Sequence, residues 1–438
     1  MIRYKLWISV CLVWMMSVEL MAQTSTNSPY TRYGFGQLSD QNFGNSQAMG
    51  GISYGLRNGL HVNASNPASY SAVDSLTFIF DAGLSLQNAN FKEGNIKTNA
   101  KNSSVDYIAA QFRLAKGLGF AAGFLPYSTV GYSISRNNIV TTDEYGATTT
   151  ATQTFNGDGG LQQVFFGLGY NVFKGLSVGA NFSYLYGDIS HTSSTTFSNA
   201  NAFSSARTHK IDVSDYKLDF GLQYTQQLKE KHVLNIGATY SYGHELNSTG
   251  YRYTEVYNNG NSIQTQTVDT LKNVCNLPHS FGLGATYVYD NRLTVGFDYT
   301  LQKWSDVKFP TSKEDEGGKS EYIIQEGLFQ NRTKISVGAE YLPNPIGRNY
   351  LSRVRYRVGA YYSSPYAKID GKDGNREYGV SFGFGFPLTS YQSRSILNIS
   401  GQYVKVSPKV KGLLEENYLR INISLTFNER WFMKWKVD

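Results

Sequence analysis

Arg353, Arg355 and Arg357 alternate with Val354, Tyr356 and Val358. Residues two apart on a strand share a face, so the three guanidinium groups are expected to point the same way. A cation on such a face can hold a carboxylate by a charge-assisted hydrogen bond. Lys334 and Arg420 sit in similar alternating runs and are further candidates. The plainer alternative is that these charges are solvated, or paired with Asp298, Glu340 or Asp219, and for any single residue that is the expected case. Other chemistry is poorly supported. Gly51-Ile52-Ser53-Tyr54-Gly55 fits a nucleophile-elbow pattern, but no apolar strand precedes it and no helical pattern follows. Gly117, Gly119 and Ala122 only loosely fit a dinucleotide fingerprint, and small residues on a strand explain them. The 6 histidines are scattered, with no metal-ligand spacing. No catalytic residue, metal or cofactor is expected, and the chain does not read as an enzyme.

What must position the cations is a set of strands. At 419–427, Leu419, Ile421, Ile423, Leu425 and Phe427 share one face, and Arg420, Asn422, Ser424 and Thr426 share the other. The runs 293–301 and 377–386 alternate in the same way, the second with a Gly-rich polar face. This is the period of a strand between an apolar and a polar phase. Fourteen such segments can be counted, from 75–87 to 416–428, with the third at 117–136. Short turns alternate with long polar connections such as 137–158, 191–212, 245–277 and 306–328. That layout predicts an all-β, fourteen-stranded antiparallel transmembrane barrel, with both termini on the short-turn side, in the periplasm. A soluble sandwich or propeller would not require aromatics on nearly every apolar face.

Composition agrees. Tyr (33), Phe (25) and Gly (43) are abundant, and mean hydropathy is negative. No apolar stretch after residue 22 reaches the roughly 20 residues of a transmembrane helix. Residues 1–22 read as a signal peptide: Arg3 and Lys5, an apolar run from Leu6 to Met16, then Ala22. Its removal takes Cys11 and leaves Cys275 without a partner for a disulfide. The formal charge of +7 is spread along the chain and makes no nucleic-acid-binding block. Residues 23–73 are rich in Gly, Ser, Asn and Gln and do not alternate. Such a segment has unsatisfied backbone groups in lipid, so it is expected in the periplasm or inside the lumen, with the barrel over 74–438.

Within that segment Gln47-Ala48-Met49-Gly50-Gly51 precedes Asn66-Pro67-Ala68-Ser69-Tyr70. Downstream stand Phe124-Leu125-Pro126-Tyr127, Leu277-Pro278, Tyr299-Thr300-Leu301-Gln302-Lys303-Trp304-Ser305, Val337-Gly338-Ala339-Glu340-Tyr341, and Val358-Gly359-Ala360-Tyr361-Tyr362-Ser363-Ser364-Pro365. In this order and spacing the pieces resemble the FadL/TodX family of outer-membrane hydrophobic-compound transporters, in the form of a Bacteroidetes-like member. Ser69-Tyr70 and Ser128 depart from its pattern. The resemblance implies a Gram-negative outer-membrane barrel plugged by an N-terminal hatch, residues 23–73. It implies passive uptake of hydrophobic small molecules such as long-chain fatty acids, with outer-membrane lipid and an apolar ligand as partners. A monomer is expected. It also implies a lateral opening at Pro126 and Tyr127, where a proline removes a ladder hydrogen bond; a harmless bend is the alternative. Asn66-Pro67-Ala68 would be a gate, or a turn that docks the hatch to the wall; docking is preferred. Arg353, Arg355, Arg357 and Lys334 would be headgroup candidates. The alternative function is a structural or shuttle component of a protein secretion system.

Overall fold

The computed structural model describes residues 26–142, 148–199, 201–258, 262–314, 320–369, 371–388, 394–409 and 413–430. The signal-peptide reading of 1–22 lies outside them. Fourteen wall strands run antiparallel: β1 Thr77–Glu93, β2 Ile96–Ala115, β3 in two pieces (Leu118–Pro126 and Ser128–Thr142), β4 Thr148–Phe173, β5 Leu176–Phe197, β6 Ser204–Lys229, β7 His232–Ser241, β8 Ser280–Tyr289, β9 Leu293–Gln302, β10 Arg332–Tyr341, β11 Arg355–Ser363, β12 Arg376–Pro387, β13 Ile396–Ser407 and β14 Glu415–Arg430. Each pairs with the next, and β14 pairs with β1 from Thr77↔Arg430 to Lys92↔Glu415, which closes the barrel. Closure of β14 on β1 leaves the sheet without a first or last edge strand. No helix among the described residues is long and apolar enough to cross a membrane.

The alternation read from the sequence sets the register of this wall. Leu84, Leu86, Phe166, Leu168, Phe382, Leu419 and Ile421 are exposed on the outside. Gln111, Gln163, Asn181, Asp298, Lys334 and Asn422 are buried on the inside. A one-residue slip would exchange the two sets. Strands β4, β5 and β6 are 26, 22 and 26 residues long, and β6 carries a hairpin of Ser248–Tyr257 and Ile263–Lys272. The connection 306–328 folds as a further hairpin, Phe309–Glu314 with Ser320–Gln325.

Residues 26–73 lie against the inward face of the wall. They form two short 3-10 helices, Pro29–Arg32 and Pro67–Ala72, a short helix Gly44–Gln47, and the two-residue strand Gln37–Leu38. Their approach depends on inward-facing glycines. A methyl group at Gly119 would collide with the Tyr70 backbone, one at Gly179 with Pro67, one at Gly237 with Tyr54 and one at Gly338 with Met49. At the long-connection end, Phe35 packs against Trp304 and Phe309, with ring centroids 5.6 and 5.4 Å away, and Phe329 completes the cluster.

Candidate functional site

The third strand is interrupted where the sequence carries Pro126. The β2–β3 ladder ends at Ile108↔Phe124. Beyond that point β3 stays bonded to β4, but Tyr127, Ser128 and Thr129 stand against only Leu161 and Gly160, between the pairs Pro126↔Gln162 and Val130↔Gly159. Three residues facing two is a bulge, which bends a strand and ends regular pairing. Gly160 makes it possible: its φ is +137°, and a side chain there would strike the Ser128 carbonyl. Among the described residues no ladder joins Ser128–Thr142 to β2, whose residues 96–107 pair on the β1 side alone. The open edge of β3 is instead met by the N-terminal segment, through Gln37↔Thr129 and Leu38↔Ser128.

A cavity of about 150 Å³ opens inside this break, bounded by residues 38–42 and by β3 to β10. Its lining mixes aromatic and aliphatic groups (Leu38, Leu125, Tyr127, Phe165, Tyr242) with charge. Lys217 donates to Asp219 at 2.6 Å, and Lys334 is bonded to Asp40. Asp298 accepts from the Ser53 and Tyr54 N–H groups at 2.6 and 2.9 Å, so it anchors the N-terminal segment. Arg332 donates to Ser363 Oγ at 2.9 Å and to Gln302 Oε1 at 3.3 Å, both neutral partners. Arg332 also borders a second cavity of about 130 Å³, lined by Tyr30, Tyr366, Glu416 and Tyr418.

Of the five cations singled out in the sequence, Lys334 alone borders these cavities, and Arg420 donates to Gln87 at 2.6 Å. Strand β11 begins at Arg355, and Arg353 falls in the 3-10 turn Tyr350–Arg353 before it, with its guanidinium over the Tyr350 ring. Arg355 and Arg357 do face inward, but each is bound to Glu340 at 2.6 Å, and Arg357 also donates to Asn398 at 2.6 Å. Two arginines sharing one carboxylate form a buried network with little room for a ligand's charge. Asp40 and Arg332 were not singled out by the sequence. A signal existed for both: Asp40 is the sole acidic residue between Thr26 and Val73, and Arg332 lies two residues before Lys334 on the same face.

Asn66-Pro67-Ala68 sits deep in the lumen. The Asn66 side chain caps the helix Pro67–Ala72, accepting from Ala68 N–H at 3.2 Å, and donates to the Tyr54 and Leu222 carbonyls at 2.8 and 3.2 Å. Pro67 lies over Gly169, Gly179 and Gly221. One residue thus caps a helix, bonds a neighbouring turn and bonds the wall.

A model of the family described as BamG matches residues 1–438. Among solved structures, the chain is similar to the CymD monoaromatic hydrocarbon channel, at 16% identity over 92% of this chain and 99% of that one, with a TM-score of 0.57. The Pseudomonas putida toluene transporter TodX matches at 16% identity over 90% and 100% of the two chains, TM-score 0.57. A Pseudomonas aeruginosa FadL homologue matches at 12% identity over 90% and 99%, TM-score 0.58. At these identities the likeness is one of fold: a FadL-type barrel, consistent with the outer membrane. A search of curated protein sequences finds no match.

Proposed function

The chain belongs to the BamG family, and from its FadL-type fold we propose that it is an outer-membrane channel for passive uptake of hydrophobic small molecules. Residues 23–73 act as a hatch in this reading, and 74–438 as the barrel. Ligand binds in the lumen and leaves sideways beside Pro126 and Tyr127. The observation that carries the proposal is the break in the β2–β3 ladder at Phe124, bordered inside by a cavity. The similar structures are channels for toluene and monoaromatic hydrocarbons, which supports a small ligand. The cavity matches the roughly 150 Å³ that holds benzene in an engineered core and is below the ~300–1,000 Å³ of pockets for drug-sized ligands. A long-chain fatty acid therefore requires the hatch to move aside, with Asn66-Pro67-Ala68 as its docking point and gate. Lys334 is the headgroup cation this geometry favours over Arg353, Arg355 and Arg357. The Bacteroidetes-like character and monomeric state belong to the same proposal.

Replacing Pro126 with Ala should restore a ladder donor and lower uptake several-fold while barrel assembly, read by heat-modifiable gel migration, is unchanged. Uptake equal to that of the parent would remove the lateral route. A second reading, a structural or shuttle component of a protein secretion system, is favoured by one observation: the lumen is largely filled, with charged pairs inside and the aromatic cluster of Phe35, Trp304 and Phe309 at one end. Purified protein that binds nothing from a hydrocarbon and fatty-acid panel, but crosslinks to a protein at the cell surface, would favour it.

A further inference from the structure

The stretch from Gln37 to Asn42 crosses the lumen as a strap. On one side it is tied to the break in the wall. Gln37 and Leu38 pair with β3, Ser39 N–H donates to the Tyr127 carbonyl at 3.0 Å, and the Gln41 amide donates to the Pro126 carbonyl at 3.1 Å. On the other side the Asp40 carboxylate is bonded to Lys334 Nζ on β10. The Asp40 side chain is 38% exposed, whereas that of Lys334 is 11% exposed and lies over the Tyr361 ring at 4.5 Å. The carboxylate is thus accessible from the cavity, and the cation is covered by it. Burial pushes the Asp40 carboxyl up, but the charge and hydrogen bond of Lys334, followed by Arg332, more than reverse this and hold it below the ordinary carboxylate range. Arg332 has no carboxylate within ion-pair distance among the described residues. Of the two cations on this face of β10, Lys334 alone has an ion-pair partner, and that carboxylate is carried by the strap.

We propose that Asp40 holds the place of a ligand's carboxylate: a small organic acid anion reaching the cavity takes over Lys334 and Arg332, and this exchange frees the strap 37–42 from the broken third strand. The idea deepens the uptake reading and rests on it for the route by which the ligand arrives. The exchange replaces one carboxylate on Lys334 by another and adds a partner for Arg332, so the incoming anion gains contacts that Asp40 lacks. The site selects for a carboxylate on a body of about benzene size.

The test uses the full mature chain in detergent, with benzoate as the acidic probe and toluene as the neutral one, in calorimetric titrations. Asp40→Asn removes the internal competitor and should bind benzoate roughly tenfold tighter than the parent. Lys334→Gln should bind it at least tenfold more weakly. Toluene, which has no carboxylate, should change in affinity far less than benzoate in either variant. In the parent, benzoate should also speed hydrogen exchange at the Gln37 and Ser39 amides, which face the third strand. Asp40→Ala serves as a second variant if the first fails the heat-modifiability check for a folded barrel. Benzoate binding in the Asp40 variants equal to or weaker than in the parent overturns the proposal, because a merely structural ion pair predicts that. So does Lys334→Gln binding equal to the parent. If toluene binds while benzoate follows either of those patterns, this inference fails and the uptake reading stands. If neither probe binds any variant, both fail.

Discussion

Single side chains in this lumen are decided by their partners more than by their own type. Glu340 shows it: between Arg355 and Arg357 it turns two candidate ligand cations into structure. Removing one member of such a buried set costs about 3–5 kcal/mol, because it leaves uncompensated charge. His61, in the N-terminal segment beside the same group, is 4% exposed and shares a 3.3 Å hydrogen bond with Thr426 Oγ1. Burial, then the charges of Arg357 and Arg355, lowers its pKa from 6.5 to about 3, against a smaller opposing pull from Glu340. A detached segment takes up a proton below the ordinary histidine value, and the docked one does not until far lower pH. Docking is therefore fully stable above pH ~6.5 and weakens as pH falls toward about 3. At pH 5 the loss is about 2 kcal/mol. Hydrogen exchange at residues 56–63 should speed on going from pH 7.5 to pH 5, after correction for intrinsic rates, and His61→Gln should abolish that change. An unaltered pH response in His61→Gln would assign the effect to other groups.

Among the elements, the strands serve two surfaces at once. Their outer faces are exposed apolar side chains, and their inner faces carry glycine at several of the points where the N-terminal segment comes close. Alternation made the outer face legible from residues such as Leu419 and Ile421. The inner glycines read only as a Gly-rich polar phase, because a glycine does not reveal which backbone approaches it. Gly237 is the sharpest case, with the Tyr54 carbonyl against its α-carbon side. Gly237→Val should keep the barrel, since valine suits a strand, but push residues 53–57 off the wall. Trypsin should then cut after Arg57, which in the parent is held by the Ala68 carbonyl, Gln223 and Ser71. Resistance equal to that of the parent would show that the wall yields instead. The third strand combines a legible and an illegible part. Pro126 marked the interruption, but the bulge also needs Gly160 on the neighbouring strand, 34 residues away in sequence from Pro126.

For the whole molecule, closure and filling are separate events. The wall closes through β1 and β14 without help from residues 26–73, whose one strand pairing is with β3. Deleting 26–73 should therefore leave a folded, heat-modifiable barrel with an open lumen. In planar bilayers it should conduct ions steadily, while the full mature chain stays closed. A deletion that still blocks current would mean that the aromatic cluster and the outer hairpins seal the barrel alone.

The sequence by itself determined the barrel. Period-2 alternation is a local property, and each strand carries it independently of its neighbours. The alternation of turns and connections is also written in the chain, and it sufficed for fourteen strands, although 137–158 and 191–212, read as connections, are mostly strand and the segment before Asp74 holds the short strand Gln37–Leu38. The tertiary structure alone decided the site. Lys334 looked no different from Arg355 or Arg357 as a cation on an inward face. Only closure brings Asp40, 294 residues away, onto Lys334, while Glu340 neutralises the arginines from the adjacent strand. Charge pairing across a lumen depends on distance in space, where a buried ion gains or loses several kcal/mol with its partner. No spacing along the chain encodes that distance until the wall has closed.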